Sequence, residues 1–250
     1  MSRIPRLQSE SGFYHIFSRG NGRQIIFEDE NDRQAFLRCL DSALTDFDTE
    51  LYAYCLMGNH YHLVVQSDYA NLPSFAHKLN CSYAIQFNDA HERVGHLFQD
   101  RYRSQPIDDD SHLLSAIRYV HRNPVEAHLA PTCNYRWSSY PAYLGATDNL
   151  VSRSTGKVLE MLGGVEAFKE FHSHSGRASF IDDAPIADQM SEAEMIALAR
   201  DALNGFSPSG LKSLRKPDRD RGLRLLKATS MSLTQIALVT GIGRTTIHRA

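Results

Sequence analysis

The chain has 250 residues, of which 42% are hydrophobic, so it can bury one sizeable core and a second, smaller one. Its formal net charge of −2 excludes a global basic field, so any nucleic-acid binding must come from local patches. The 4 cysteines form no C-x-x-C pair, which argues against a zinc ribbon and a disulfide framework. We therefore expect a cytoplasmic protein with no secretory leader and no membrane partner.

The first half of the chain alternates strand and helix patterns. Apolar residues with period two predict strands, and apolar residues with helical spacing predict helices. In chain order these are a strand at 13–18, a helix at 28–47, two strands around Gly58-Asn59, a helix at 71–93, a strand at 97–107 and a helix from about Asp110. This order predicts an α+β fold, a ferredoxin-like sandwich whose antiparallel sheet has helices on one face and the third strand in its centre.

The hairpin around Gly58-Asn59 carries the first candidate site. Both residue types accept the positive φ of a tight turn, and His60 and His62 open the strand that follows. Because strand side chains alternate between faces, the two imidazoles project from one face about 7 Å apart and outline a metal platform. A His-x-His pair is also common in ordinary structure, where buried histidines satisfy neighbouring hydrogen bonds.

The closing helix supplies a third ligand and a reacting group. Tyr119 and Asn123 are i and i+4 partners, so they lie side by side on one face. Pro124 disfavours αR at Asn123, and we expect the helix to end there and leave the amide free to turn toward a ligand. Alternatively, Asn123 merely ends the helix and Tyr119 packs in the core. With His60 and His62, the Asn123 oxygen would suit Mg²⁺ or Mn²⁺ and also allows Zn²⁺.

Three sequence blocks together resemble a known family. They are GNHYHLVV at Gly58–Val65, RYVHRNPVEA at Arg118–Ala127 and YRWSSY at Tyr135–Tyr140. In this order and spacing they resemble the single-tyrosine HUH transposases, and most closely the branch of REP-associated tyrosine transposases. The resemblance covers roughly residues 11–145 and implies the HUH form of the ferredoxin-like sandwich.

The resemblance also implies a function. It makes the protein a metal-dependent single-stranded DNA endonuclease and strand transferase, a transposase in which Tyr119 forms a 5′-phosphotyrosine link and releases a 3′-OH. Its partner would be single-stranded DNA with hairpins or palindromic repeats, and the protein would act as a monomer or a homodimer. A catalytically silent, sequence-specific DNA-binding protein and a water-using metal phosphodiesterase are the alternatives. The three differ in whether a covalent protein–DNA adduct forms.

Local basic residues in the first half are candidate contacts to DNA phosphates. Arg19 and Arg23 lie beside glycines in the turn after the first strand. Arg101 and Arg103 share one face of the predicted fourth strand, with aromatic residues nearby for base stacking. A solvated loop and an ordinary amphipathic strand would explain the same residues.

The second half of the chain differs from the first in composition and pattern. The sequence predicts an HUH domain at 1–145, a partly helical connector at 146–185 with a helix near Val165–His172, and a helical domain at 186–250. Thr234 would cap a short helix, Gly241 would make the turn, and a recognition-type helix would start at Arg244. This small all-α domain resembles a helix-turn-helix, although a helical bundle for packing or dimerisation is the alternative. Its candidate groove contacts are Arg244, Thr245, Thr246 and His248.

Overall fold

The computed structural model describes residues 7–174, 180 and 190–250. Its strands are β1 (Phe13–Arg19), β2 (Glu50–Leu56), β3 (His60–Gln66) and β4 (Arg103–Ile107). They form one antiparallel sheet in the order β2-β3-β1-β4, so β3 lies in the interior as predicted. The helices α1 (Glu30–Asp46), α2 (Leu72–Ala90) and α3 (Asp110–Glu126) complete the α+β ferredoxin-like sandwich.

The two faces of the sheet bury different helices, because successive side chains of β3 point to opposite sides. Tyr61, Leu63 and Val65 lie in the core formed with α1 and α2. Val64 lies in a second core with Ile117 and other apolar residues of α3. The two connecting helices therefore share one face, and α3 closes the opposite face, toward which His62 points.

The hairpin turn before His60 differs from its predicted geometry. The Met57 backbone N–H donates to the His60 carbonyl over 2.9 Å, but neither Gly58 nor Asn59 has a positive φ. The prediction of left-handed backbone is therefore wrong. A glycine is needed for another reason, because a Cβ on Gly58 would lie 1.9 Å from Oε2 of Glu192.

The fourth strand is shorter than predicted. β4 begins at Arg103, and residues 98–102 take part only in an isolated bridge between Gly20 and Phe98. The Gln99 N–H still donates to the Arg19 carbonyl over 3.0 Å, but the register changes, because Gly20 pairs with Phe98 and not with Asp100 as the register of β4 would require. Arg101 and Arg103 therefore do not share a strand face.

The end of α3 also departs from expectation. The helix continues through the buried Pro124 to Glu126 instead of ending at Asn123. Proline removes one helical hydrogen bond, but the Ala127 N–H still bonds to the Asn123 carbonyl over 2.9 Å. Local propensity is overridden because Val120 and Pro124 bury apolar surface in this segment.

The regular elements that the structure describes in the second half are helices, joined by turns and loops. Val158 and Phe168 extend the second core, whereas Met195, Leu223 and Ile236 form a third, which Ile25 from the loop after β1 joins. The helices are α4 (Tyr140–Tyr143), α5 (Thr155–Leu162), α6 (Val165–Ser173), α7 (Glu192–Ala202), α8 (Lys216–Lys227), α9 (Leu233–Thr240) and α10 (Arg244–Arg249). Apart from Phe180, the end of the predicted connector and its boundary at 185 lie outside the described residues.

The last two helices follow the predicted pattern with one correction. Ser232, rather than Thr234, caps α9, because its hydroxyl accepts from the Gln235 N–H and the Gln235 side chain returns the bond. Gly241 has φ 64°, the left-handed conformation expected of the residue between the helices. No helix in the described ranges has the length and apolar character needed to cross a membrane.

Candidate active site

The two predicted metal ligands of β3 lie together on the α3 side of the sheet. The ring centroids of His60 and His62 are 5.0 Å apart; His62 is fully buried and His60 half-buried. The Asn59 side-chain oxygen lies 2.5 Å from His60 Nδ1 and can only accept a hydrogen bond. Nδ1 of His60 therefore carries the proton, which makes Nε2 the nitrogen with a lone pair.

Helix α3 places both of its predicted residues against His62. The ring centroids of Tyr119 and His62 are 5.6 Å apart, with the planes nearly perpendicular. The Asn123 carboxamide lies 3.3 Å from Nε2 of His62, and a half-turn of this amide exchanges its oxygen and nitrogen. The i, i+4 spacing thus brings a phenol and an amide to the face that carries the histidines, although the helix does not end at Asn123.

His15, which the sequence reasoning missed, supports His62 from β1. Its Nε2 lies 3.0 Å from Nδ1 of His62, and the two rings are stacked. Such an outer partner fixes the tautomer and orientation of a metal-binding imidazole. The sequence indicates that His15 lies on the same face of β1 as Phe13 and Phe17, because these residues are two positions apart. Placing His15 beside His62 also requires the register between β1 and β3.

Phe180 is the second missed residue. Its ring centroid lies 4.9 Å from that of Tyr119 and 5.6 Å from that of His15, and the side chain is buried. No periodic pattern in its part of the chain points to this position. The rings of His15, His62 and Phe180 thus surround the phenol of Tyr119.

Burial sets the charge state of these histidines. It lowers the pKa of His15 to about 3, with a further contribution from the charge of His112. Burial, followed by the proximity of His60 and His15, lowers the pKa of His62 well below its usual value. Both imidazoles are therefore neutral near pH 7, which is the form that coordinates a metal.

The donor set fits a hard to intermediate divalent ion. His60 and His62 offer imidazole nitrogens, and Asn123 offers a carboxamide oxygen, so the set mixes nitrogen with oxygen. No group of three His, Cys, Asp or Glu residues able to hold a metal occurs in the described parts of the chain. The third ligand must therefore be the amide of Asn123. Three protein ligands leave coordination positions on the ion for a substrate oxygen.

A cluster of cations lies at the end of β1 beside the histidines. Arg19 is the register partner of His60, and it shares a shallow recess with Arg101 and Arg103. Burial is the largest cause of a lowered pKa of Arg19; the charges of Arg23 and Arg103 lower it further, and the carboxylate of Asp100, which lines the same recess, opposes them. Arg101 and Arg103 are exposed.

The remaining candidates lie on α10, in the C-terminal part of the chain. Arg244, Thr245 and His248 are exposed, and Thr246 is half-buried. Arg244 lines a groove together with Arg23. The predicted DNA contacts thus lie in two areas that meet at this groove.

Comparison with known proteins shows that the region containing this site is similar to a known family. Residues 8–123 match the model of the family described as "Transposase IS200 like", and this range contains the four strands and all four central site residues. No curated protein matches the chain.

Two solved structures are similar to parts of the chain. A REP-associated tyrosine transposase bound to a REP hairpin has 16% identity, covers 61% of this chain and 94% of its own, and gives a TM-score of 0.49. A protein from Deinococcus radiodurans described as a transposase has 17% identity, covers 44% of this chain and 86% of its own, and gives a TM-score of 0.34. Residues 8–123, which include the sheet and α3 as far as Asn123, are therefore similar to the IS200-like transposases.

Proposed function

We propose that the protein is a metal-dependent endonuclease and strand transferase for single-stranded DNA, with Tyr119 as its nucleophile. One observation carries this proposal: a phenol, a carboxamide and two imidazoles converge between β3 and α3. Their types match the needs of phosphoryl transfer, in which a nucleophile must be held beside groups that stabilise charge on the phosphate.

The proposed reaction is a transesterification. Oη of Tyr119 attacks the phosphorus in line, so that an O–P bond to tyrosine forms and the bond from phosphorus to the 3′ oxygen breaks. The phenol loses its proton and the 3′ oxygen gains one, which yields a free 3′-OH and a 5′-phosphotyrosine. Because the phosphodiester energy is conserved, a second 3′-OH can attack this link and join strands without ATP.

The surrounding residues hold the reacting groups in place. His60, His62 and Asn123 would hold the divalent ion, with His15 and Asn59 orienting the two imidazoles. When bound, Mg²⁺ or Mn²⁺ supplies a Lewis acid that stabilises charge on a nonbridging phosphate oxygen. The rings of His15, His62 and Phe180 pack against the Tyr119 ring and restrict its orientation, which holds the phenol in place as the nucleophile.

The proposed substrate is a DNA hairpin flanked by single strands. The resemblance of the three sequence blocks to REP-associated tyrosine transposases supports this choice. The arginines beside His60 support an anionic strand at the same end of the sheet.

The test is a search for the covalent intermediate. A labelled hairpin oligonucleotide is incubated with Mg²⁺ or Mn²⁺ and the wild-type, Tyr119→Phe or Tyr140→Phe protein, then run on a denaturing gel. Tyr140 is a matched control because it packs against His121, away from the site, and its hydroxyl has no hydrogen bond in the described structure.

We expect an SDS-resistant adduct on the 5′ side of the break with the wild type and Tyr140→Phe, and no adduct with Tyr119→Phe. Cleavage by all three proteins without an adduct would replace tyrosine with water and contradict the proposal. Binding without cleavage across several repeat hairpins would favour the catalytically silent DNA-binding protein.

A further inference from the structure

A groove lies between the loop that follows β1 and the helices α9 and α10. Its volume is about 440 Å³, within the range of pockets that hold ligand-sized groups. Arg23 lies on the wall from the loop and Arg244 on the wall from α10, while Ala237, Leu238 and Ile242 contribute apolar surface between them. The groove is thus an apolar channel with a cation on either side.

The charge of this groove is one-sided. Its lining contains Arg23 and Arg244 and no carboxylate. Within residues 7–174, 180 and 190–250, neither arginine side chain forms an ion pair or a hydrogen bond. In a chain of net charge −2, two uncompensated guanidinium groups facing one channel are complementary to an anionic chain such as a nucleic-acid backbone.

The two walls are joined rigidly beneath the groove. The Ile25 N–H donates to the Leu238 carbonyl over 2.9 Å, which ties the loop to α9. Gly241 packs so closely that a Cβ there would lie 2.0 Å from Oε1 of Gln24. The backbone segments that carry the two arginines are therefore held together by the fold before any ligand binds.

The groove also connects to the catalytic centre. The backbone carbonyl of Arg23 accepts a hydrogen bond from Nδ2 of Asn59 over 3.3 Å, and the other side-chain atom of Asn59 lies 2.5 Å from His60. Arg19 is the register partner of His60, and Arg23 follows it in the loop after β1 that forms one wall of the groove. The loop after β1 thus runs from the histidine face to the groove.

We infer that this groove binds a single-stranded segment of DNA that flanks the hairpin, with phosphates on Arg23 and Arg244 and a base against the apolar surface. The inference rests on the proposed function and names where its substrate runs. A channel of this size with an apolar floor accepts an unpaired nucleotide, whereas a duplex, with its bases stacked inside, presents only backbone to it. The C-terminal helices would then hold the strand that leads to Tyr119.

The test measures binding without divalent metal, so that cleavage does not interfere. Fluorescence anisotropy compares a hairpin carrying single-stranded flanks with the same hairpin trimmed to its stem and loop. The proteins are the wild type, Arg23→Ala, Arg244→Ala, the double variant and Arg244→Lys. The control is Arg38→Ala, since Arg38 is an exposed arginine of α1 on the other side of the sheet.

We expect each alanine variant to bind the flanked hairpin about tenfold more weakly, with a salt slope smaller by about 1 per variant, because each loses a phosphate contact. The trimmed hairpin should bind all proteins equally, Arg244→Lys should recover most of the affinity, and Arg38→Ala should match the wild type. Equal weakening for both oligonucleotides would assign the arginines to the stem and overturn the inference, as would unchanged affinity for both.

Adduct formation by the same proteins separates this inference from the proposed chemistry. A wild type that forms no adduct, together with a loss of affinity confined to the flanked hairpin, would retain the groove and reject the catalytic proposal. A wild-type adduct with unchanged affinity in the alanine variants would retain the catalytic proposal and reject the groove.

Discussion

Two pairs of buried histidines resemble each other in burial and spacing: His15 and His62 lie in the sheet opposite α3, whereas His121 belongs to α3 and contacts His172 of α6. In one, His15 and His62 approach to 3.0 Å between ring nitrogens; in the other, His121 and His172 do the same. Burial is the largest cause of a lowered pKa in all four rings. Neither burial nor a shifted pKa therefore distinguishes a reactive site from a structural one.

The difference lies in what the remaining nitrogens face. Nε2 of His121 is bonded to the Ser139 hydroxyl over 2.8 Å, and Nδ1 of His172 is bonded to the Phe168 carbonyl over 2.8 Å, so the second pair is closed. In the first pair, Nε2 of His62 faces the carboxamide of Asn123 beside a phenol. Convergence of unlike polar groups is what marks the candidate site.

The largest expected effects come from removing one histidine from each of the two regions. We expect His60→Ala to lower the rate of adduct formation by at least about a hundredfold, because loss of a metal ligand removes several kcal/mol of transition-state stabilisation. His172→Ala should instead lower the free energy of unfolding by about 2–3 kcal/mol, because it leaves the buried partners of His172 unsatisfied.

Rates measured well below the melting temperature, together with urea unfolding, separate the two effects. His60→Ala should change stability little, since His60 is half-buried at the start of β3. If His172→Ala folds normally and still loses adduct formation, the distinction between a reactive and a closed pair is wrong.

A second prediction concerns the support behind His62. His15→Phe keeps an aromatic ring but removes the nitrogen that lies against Nδ1 of His62. We expect the affinity for Mn²⁺ to fall about 10- to 100-fold, as is typical when an outer partner of a ligand is lost. Titration of adduct formation with Mn²⁺ measures this change.

Excess Mn²⁺ should restore most of the rate in His15→Phe but not in His60→Ala. A variant with unchanged metal dependence would show that His15 serves only packing.

The smallest effect concerns pH and the closed pair. Burial lowers the pKa of His172 to about 4, although the hydrogen bond to the Phe168 carbonyl opposes this shift. Because the unfolded chain binds this proton more readily, the contribution to stability is complete above about pH 6.5 and is lost as the pH falls toward 4. The expected slope is up to about 1.4 kcal/mol per pH unit.

The measurement is urea unfolding at several pH values, which compares the free energy of unfolding of the wild type with that of His172→Phe, a variant that cannot titrate at this position. The variant should have a shallower dependence on pH between 6.5 and 4. Equal slopes in both proteins would show that His172 is not kept neutral by the fold.

The parts of the site that the sequence predicted depend on spacing along one element. His60 and His62 lie on one face because strands alternate, and Tyr119 and Asn123 lie together because helices repeat every 3.6 residues. The order of strands and helices likewise predicted the sheet and its interior β3. These features need no knowledge of how distant segments meet.

The parts that the sequence did not predict depend on contacts between segments that are distant in sequence. His15 joins the site only through the register of β1 with β3, and Phe180 only through its ring contacts with Tyr119 and His15, which are distant in sequence. Residues 98–102 leave the strand where the pairing with β1 changes register, and α3 passes Pro124 because packing outweighs its local preference. Tertiary contacts decided each of these cases.

The contact between Gly58 and Glu192 has a consequence for how the molecule comes apart. The Glu192 carboxylate accepts a hydrogen bond from the Gly58 backbone, and burial raises its pKa, so α7 is seated on the turn that leads into His60. Arg200 of the same helix pairs with the buried Glu28. Melting of the C-terminal helices would strip these partners from the sheet, so the two parts should lose structure in one cooperative transition. The turn before His60 is thus stabilised by a helix more than a hundred residues further along the chain.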